Sequence, residues 1–147
     1  MLFASAVAAC APQSGSGTAV AERSPAGLEQ VPLTIQSRSG THQFTVEVAR
    51  TPEQQALGLM NRQSLAPDRG MLFPYEAPQP ASFWMRNTLI PLDMVFIRAD
   101  GAISSIVTAV PHDEVPVASN EPVAAVLEIP GGRAAELGIR EGDRVSW

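Results

Sequence analysis

Proline and glycine interrupt this chain throughout, with 13 prolines and 11 glycines among its 147 residues. Both disfavour the interior of a helix, proline because it lacks a backbone N–H and glycine because ordering it costs entropy. Short strands accept these residues at the turns between them. With 45% hydrophobic and 17% charged residues, the chain can still form a buried core. The sequence therefore predicts an α+β fold, a mostly antiparallel, compact barrel-like sheet with two short helices.

Charge and cysteine content disfavour several classes of protein. The net charge is −5, and all ten basic residues are arginines scattered along the chain, which disfavours nucleic-acid binding. One cysteine and two histidines cannot supply an internal disulfide, a cysteine zinc site or an iron–sulfur cluster. We therefore expect no metal, no cofactor and no nucleic-acid partner, and we expect a monomer.

The first ten residues resemble the end of a bacterial lipoprotein signal. Residues 2–9 are small and apolar, and they are too few to span a bilayer, which takes about 20 residues. Val7-Ala8-Ala9-Cys10 is similar to a lipobox, although no Lys or Arg precedes Leu2. This resemblance implies a signal-peptide remnant at 1–9 and lipidation of Cys10. It also implies a secreted, periplasmic protein that contacts the membrane only through a lipid anchor.

Beyond this signal, the chain changes character near Pro32. Residues 10–31 are rich in Ser, Gly, Ala and Pro without apolar periodicity, which predicts a disordered tether. Residues 32–147 are predicted to form a single domain. Alternating or continuous apolar runs predict strands at 33–38, 44–49, 71–73, 82–88, 92–98, 103–110, 123–129 and 145–147.

Local signals predict two short helices. Thr51 is a candidate N-cap followed by Pro52, and Gln54 completes a capping box, so a helix is expected from there to near Asn61. The second helix is predicted over Arg133–Leu137, between glycines that open and end it.

Two acidic residues fall in apolar strands. Asp93 follows the start of one such strand, and Glu128 lies near the end of another. A buried carboxylate without a partner either costs several kcal/mol or titrates at a higher pH. Each acid is therefore expected to have a partner, either as a cap of a turn or strand end or within a functional site. Both roles fit the sequence equally at this point.

Other polar residues fall at predicted strand ends or just after the first helix. Because loops rich in Pro and Gly leave room for a cleft there, we expect them to meet Asp93 and Glu128 at one end of the sheet. Either a ligand site or a purely structural polar network would result. These candidate ligand-binding residues are Arg62, Trp84, Arg86, Asn87 and Thr88.

The motifs of residues 33–147 are similar, in order and spacing, to a family called domain of unknown function 192. This resemblance implies a small single-domain β-rich fold, often secreted or lipid-anchored in bacteria, and it implies no activity. Arg86 stands where the family usually has Lys. The motifs are Gly58-Leu59-Met60-Asn61-Arg62, Gly70-Met71-Leu72-Phe73, Phe83-Trp84-Met85-Arg86-Asn87-Thr88, Ile90-Pro91-Leu92-Asp93, Asp100-Gly101, Ser119, Leu127-Glu128-Ile129-Pro130-Gly131-Gly132, Gly138-Ile139 and Gly142-Asp143.

Two function classes fit the sequence. The first, which we favour, is a non-catalytic envelope binding module for a small polar ligand, a glycan or an envelope protein, with Trp84 as a stacking face. The second is a hydrolase in which Asp93 and Glu128 act as an acid/base pair on a glycosidic bond. No G-x-S-x-G, H-E-x-x-H or phosphate-loop motif accompanies them. A hydrolase would require the two carboxyl groups about 5–9.5 Å apart across one cleft.

Overall fold

A computed structural model describes residues 22–147 of the chain. Nine strands and two helices follow one another in this part. The strands are β1 (Gln30–Ser37), β2 (Gly40–Val48), β3 (Arg69–Gln79), β4 (Ser82–Phe83), β5 (Leu92–Ile97), β6 (Ile103–Ala109), β7 (Val117–Ala118), β8 (Val123–Pro130) and β9 (Arg144–Ser146), and the helices are α1 (Pro52–Leu57) and α2 (Arg133–Leu137).

Seven of the strands form one sheet in the order β6-β5-β8-β3-β2-β1-β9, and β4 pairs with β7 in a separate ribbon. Strands β2 and β3 run parallel, because α1 lies in the connection between them, and the other pairs in the described part of the chain are antiparallel. This arrangement confirms the predicted α+β class with a mostly antiparallel sheet.

The sheet curls into a half-barrel because its two edge strands meet at one end. Ala102, just before β6, forms a bridge with Arg144 at the start of β9. The Ile103 amide donates to the Asp143 carbonyl at 2.8 Å, and the Val145 amide donates to the Gly101 carbonyl at 2.8 Å. These hydrogen bonds hold the two edges together and leave an inner and an outer face.

Each face of the sheet carries its own hydrophobic core. The inner core takes side chains from all seven strands of the sheet, including Val95, Leu127 and Ile129. The outer core covers the central strands β5, β8 and β3 and lies beneath the segments around α1 and β4. Strand β8 therefore has an apolar layer on both sides, which explains the continuous apolar sequence of this strand.

Helix α1 begins with the predicted capping box and ends earlier than expected. The Thr51 hydroxyl accepts from the Gln54 amide at 3.2 Å, and the Gln54 side chain accepts from the Thr51 amide at 3.1 Å. The helix ends at Leu57, four residues before Asn61, because Gly58 takes a positive φ of 49°. The chain then turns directly over the outer core, where Leu59 is buried.

Part of the predicted tether packs against the sheet. Residues 22–29 form a turn closed by an Arg23–Glu29 bridge, and Ser24 within it is buried. Strand β1 starts at Gln30, before the expected boundary at Pro32. The expectation of a tether is therefore restricted to residues 10–21. These residues lie outside the described part of the chain, as do the predicted signal remnant 1–9 and the lipidation site Cys10.

The predicted strand over 82–88 is mostly a turn. Only Ser82–Phe83 pairs as β4, and the chain then reverses, with the Thr88 amide donating to the Met85 carbonyl at 3.1 Å. Asn87 has a positive φ of 53°, a conformation that asparagine accepts more readily than most residues. The predicted strand is therefore wrong beyond Phe83, and the turn presents Trp84 at the surface.

Candidate functional site

Glu128 lies in the middle of the outer face of the sheet. Its neighbours across the sheet are Met71 on β3 and Met94 on β5, and both are buried. Glu128 is only 5% exposed, and its carboxyl group makes no hydrogen bond or ion pair with residues 22–147. Burial in these surroundings raises the pKa of Glu128 from the ordinary 4.5 to about 8.

The Glu128 side chain points into a cleft of about 370 Å³, which we call the Glu128 cleft. No fully buried side-chain nitrogen or oxygen in the described part of the chain lacks a hydrogen-bond partner. The Glu128 oxygens, which have no such partner, must therefore reach the space of the cleft. The lining residues are Gln55–Met60, Phe73, Tyr75, Gln79–Trp84, Thr88 and Glu128.

An irregularity in β3 forms one wall of the cleft. The pairing of β3 with β8 shifts register between Pro74 and Gln79, so the chain between them bulges away from the ladder. This bulge carries Tyr75, whose pKa is raised by burial and next by the nearby Glu128 charge. In the same cleft, Phe73 and Phe83 pack edge to face with ring centroids 5.0 Å apart. Aromatic rings from β3 and β4 therefore line the cleft that the carboxyl group reaches.

The turn that follows β4 forms the rim. Met85 is buried in the outer core and its amide donates to the Asp113 carbonyl at 2.7 Å, which fixes the turn. Trp84 remains 45% exposed beside the cleft. The Arg86 guanidinium lies 5.2 Å from the Trp84 ring centroid, and its Nε is 3.6 Å from Glu114. Arg86 thus contacts the rim tryptophan without lining the cleft.

Two further candidates help to shape the same turn. The Thr88 side chain borders the cleft, and its hydroxyl donates to the Arg86 carbonyl at 3.2 Å. The Asn87 carbonyl accepts from the Asn61 amide at 2.8 Å. This bond ties the turn to the segment after α1. Asn87 therefore contributes to the structure of the turn through its backbone carbonyl.

Arg62 lies at a different site from the Glu128 cleft. Its guanidinium forms an ion pair with the buried Glu47 at 3.0 Å and borders a separate cleft of about 500 Å³. Glu47 on β2 lies next to Met71 on β3, and Met71 separates it from Glu128. Two acids therefore flank Met71 on the outer face, one with an arginine partner and one without.

Asp93 caps the start of α2 from the inner face of the sheet. Its Oδ1 accepts from the Thr108 hydroxyl at 2.6 Å and from the Gly132 amide at 2.9 Å, and its Oδ2 accepts from the Ala134 amide at 2.8 Å. These three bonds satisfy a carboxylate that is 1% exposed. Of the two roles that the sequence left open for Asp93, the structure shows the cap.

The two acids face opposite sides of the sheet. Asp93 pairs across the ladder with Ile129, and Met94 pairs with Glu128. Because neighbouring residues of a strand alternate between faces, Asp93 lies with the inner core and Glu128 with the outer core. The expected convergence therefore fails for Asp93 and Arg62, while Trp84 and Thr88 do meet Glu128. Asp93 and Glu128 do not share a cleft, so the arrangement needed for an acid/base pair is absent.

Sequence reasoning missed several members of this site. Tyr75, Gln79 and Ser82 line the cleft but lie in or next to the proline-rich stretch 74–81, which falls between two predicted strands. The one available signal was a tyrosine within an exposed-looking loop, and that signal is weak. Their contribution depends on the bulge in β3, which is a property of the pairing with β8.

Comparisons with known proteins agree with this fold. The sequence of residues 34–147 matches the domain of unknown function 192 family, described as an uncharacterized ACR, and the chain belongs to this family. No curated protein matches the chain. Its fold is similar to a protein of unknown function from Novosphingobium aromaticivorans DSM 12444, at 45% identity over 94% of this chain and 100% of that one, with a TM-score of 0.85.

A second solved structure, from Sinorhizobium meliloti 1021, is described as that of a provisionally assigned transcription regulator. It is 45% identical over 81% of this chain and 94% of that one, with a TM-score of 0.78. Within residues 22–147, no helix is long and apolar enough to cross a membrane. The same residues contain no group of three His, Cys, Asp or Glu side chains placed to hold a metal ion.

Replacing Asp93 tests its capping role. Asp93→Asn keeps the shape but turns one acceptor oxygen into a donor that faces backbone N–H groups, so we expect a loss of about 1–3 kcal/mol in the free energy of unfolding. Urea unfolding measures this difference. Asp68→Asn, an exposed carboxylate whose side chain makes only a 3.8 Å ion pair with Arg69, is the matched control and should change little. Equal stability of wild type and Asp93→Asn would contradict the capping role.

Glu128→Gln tests the burial of the unpartnered acid. A carboxyl whose pKa is raised in the folded chain binds more protons when folded, so its contribution to stability is full below pH 4.5 and is lost as the pH rises to about 8. Glu128→Gln has no titratable group at this position, so its free energy of unfolding does not fall in this way. The stability of Glu128→Gln relative to wild type should therefore increase by up to about 1.4 kcal/mol per pH unit in this window.

Urea unfolding between pH 5 and pH 9 measures this difference. Glu76→Gln, which replaces an exposed carboxylate on β3, is the control and should run parallel to wild type. A difference between Glu128→Gln and wild type that stays constant over this pH range would show that Glu128 titrates normally in the folded chain.

Proposed function

We propose that this domain is a non-catalytic binding module that holds a small polar molecule in the Glu128 cleft. The observation that carries this proposal is the Glu128 carboxyl group, which is buried in the outer core, reaches the cleft and has no partner in residues 22–147. A carboxyl group that is surrounded by apolar side chains and reaches only a cleft must take its partner from outside the chain, and a ligand donor can replace water there.

The partners of the other two buried acids support this interpretation. Glu47 has an arginine partner and Asp93 has three hydrogen-bond donors. The same fold therefore supplies donors to buried carboxylates where they have only a structural role. Glu128 lies beside Met71 in the sheet, as Glu47 does, but receives no donor from residues 22–147.

The composition of the cleft supports binding over hydrolysis. Its residues include one carboxyl group, and no histidine, cysteine or second acid is among them. Hydrolysis of a glycosidic bond commonly uses two carboxyl groups facing one cleft, and Asp93 lies on the other face of the sheet. Trp84 and Tyr75 instead offer aromatic surface at the rim and wall, which is typical of sites that hold a ligand.

The place of action that we propose is the cell envelope. This part rests on the sequence alone, on Val7-Ala8-Ala9-Cys10 and on the Ser- and Gly-rich segment that follows. A lipid on Cys10 would hold the binding domain at the membrane surface, with residues 10–21 as the spacer.

The two tryptophans of the chain allow a direct binding test. Trp84 borders the Glu128 cleft, whereas Trp147 borders a different cleft next to Arg98 and Asp100. In ¹H–¹⁵N spectra recorded with a panel of monosaccharides, amino acids and small amines, we expect at least one compound to shift the Trp84 indole N–H signal and leave that of Trp147 in place. Trp84→Ala should weaken binding of that compound about tenfold or more.

Trp147→Ala, which removes an equally exposed tryptophan, is the matched control for this loss of affinity. If no compound of the panel shifts the Trp84 signal, or if Trp84→Ala and Trp147→Ala affect binding equally, the cleft is not the binding site and the proposal is wrong.

Cys10→Ser tests the envelope anchor in bacteria that express the gene with its full signal. Because a lipid chain on Cys10 would be the membrane contact, the variant should move from the detergent phase to the aqueous phase in Triton X-114 partitioning. Membrane association that is the same for both forms would contradict lipidation at this residue.

A further inference from the structure

The residues that line the Glu128 cleft can carry charge of one sign only. Glu128 is the one acidic side chain among them, and none of the arginines in residues 22–147 lines this cleft. Two arginines of the neighbouring segments contact other partners. Arg86 lies over Trp84 and near Glu114 outside the cleft, and Arg62 is paired with Glu47 beyond Met71.

The surroundings of the carboxyl group also suit a positive charge. Phe73, Tyr75, Phe83 and Trp84 all border the cleft, and the faces of aromatic rings attract cations. The Arg86 guanidinium lies 5.2 Å from the Trp84 ring centroid, so this ring already contacts one cation within the chain. An anionic ligand would meet a carboxyl group and no positive charge among the lining residues.

We propose that the Glu128 cleft selects a small organic cation with a primary ammonium group, an inference that rests on the binding function proposed above. The ammonium group donates hydrogen bonds to the Glu128 carboxylate, and the hydrocarbon part of the ligand packs against the aromatic rings. An ammonium group is preferred over a neutral hydroxyl because it supplies the Glu128 carboxylate with both hydrogen-bond donors and a positive charge. The volume of about 370 Å³ fits a ligand of this size.

Binding of this kind is coupled to a proton. Burial keeps Glu128 largely protonated near pH 7, since its pKa is about 8. When the ammonium ion binds, the carboxyl proton leaves to solvent and a carboxylate–ammonium pair remains. Of the lining residues, Tyr75 is the other titratable one, and its pKa is raised above its ordinary value, so it stays neutral at pH 9. Affinity for the cation should therefore increase with pH as Glu128 ionises.

A matched pair of probes tests this selectivity on the folded wild-type protein. Cyclohexylammonium and cyclohexanol have the same ring and differ in the charged group. With a carboxyl pKa of about 8, the ionised fraction rises about tenfold between pH 7 and pH 9. The dissociation constant for cyclohexylammonium should therefore fall about tenfold over the same range. The dissociation constant for cyclohexanol should not change.

Calorimetry in buffers of different ionisation enthalpy gives a second readout that needs no variant. About one proton should be released per cyclohexylammonium bound at pH 7, and almost none at pH 9. The Glu128→Gln variant should lose the preference for cyclohexylammonium and its pH dependence. Glu53→Gln, which replaces an exposed acid of α1 outside the cleft, is the control for long-range charge and should retain both.

The outcomes separate this inference from the proposed function. If both probes shift the Trp84 indole signal with equal affinity, or if cyclohexylammonium binds more weakly at pH 9 than at pH 7, the cleft binds small molecules but not cations selectively. If cyclohexylammonium does not bind while a neutral compound of the earlier panel does, the inference is also wrong and the proposed function stands. If no compound of either set shifts the Trp84 signal, both are wrong.

Discussion

The alternation of side chains along β8 is the constraint on which the site depends. This strand runs through the middle of the sheet with an apolar core on each face, so each of its side chains must enter one core or the other. Leu127 and Ile129 enter the inner core, which leaves Glu128 in the outer core. An acid at this position is therefore buried, whether or not the fold supplies a partner.

The family motifs divide into those that build the fold and those that surround the cleft. Pro91 and Asp93 meet Gly131 and Gly132 where β8 turns into α2, with Asp93 accepting from the Gly132 amide. A side chain at Gly131 would place its Cβ 2.7 Å from the Cβ of Pro91, so this close approach requires glycine. The motif around Trp84 and Thr88 instead forms the turn that borders Glu128.

Local signals made much of the fold predictable. The Thr51 capping box, the two-residue period of the hairpin strands and the glycine after α2 each act over a few residues, and each is found in the structure. The strand over 82–88 was mispredicted because Phe83 and Met85 mimic strand alternation. Met85 instead reaches the outer core through a turn.

The site was only partly predictable, because its composition depends on long-range pairing. The sequence marks both Asp93 and Glu128 as buried acids, but only the register of β5 with β8 shows that they face opposite sides. Likewise, the ion pair of Arg62 with Glu47 depends on where the segment after α1 crosses β2. Tyr75 enters the cleft through a bulge that no local pattern indicates.

The proposed site depends most on Glu128 being a buried acid that has no partner within the folded domain. Carbon-detected NMR of ¹³C-labelled protein, with the Glu128 carboxyl signal assigned through Glu128→Gln, measures the pKa of this group directly. We expect the signal to titrate with a midpoint near pH 8. A midpoint near the ordinary 4.5 would show a solvated or partnered carboxylate, and would contradict both the burial of Glu128 and the site that is built on it.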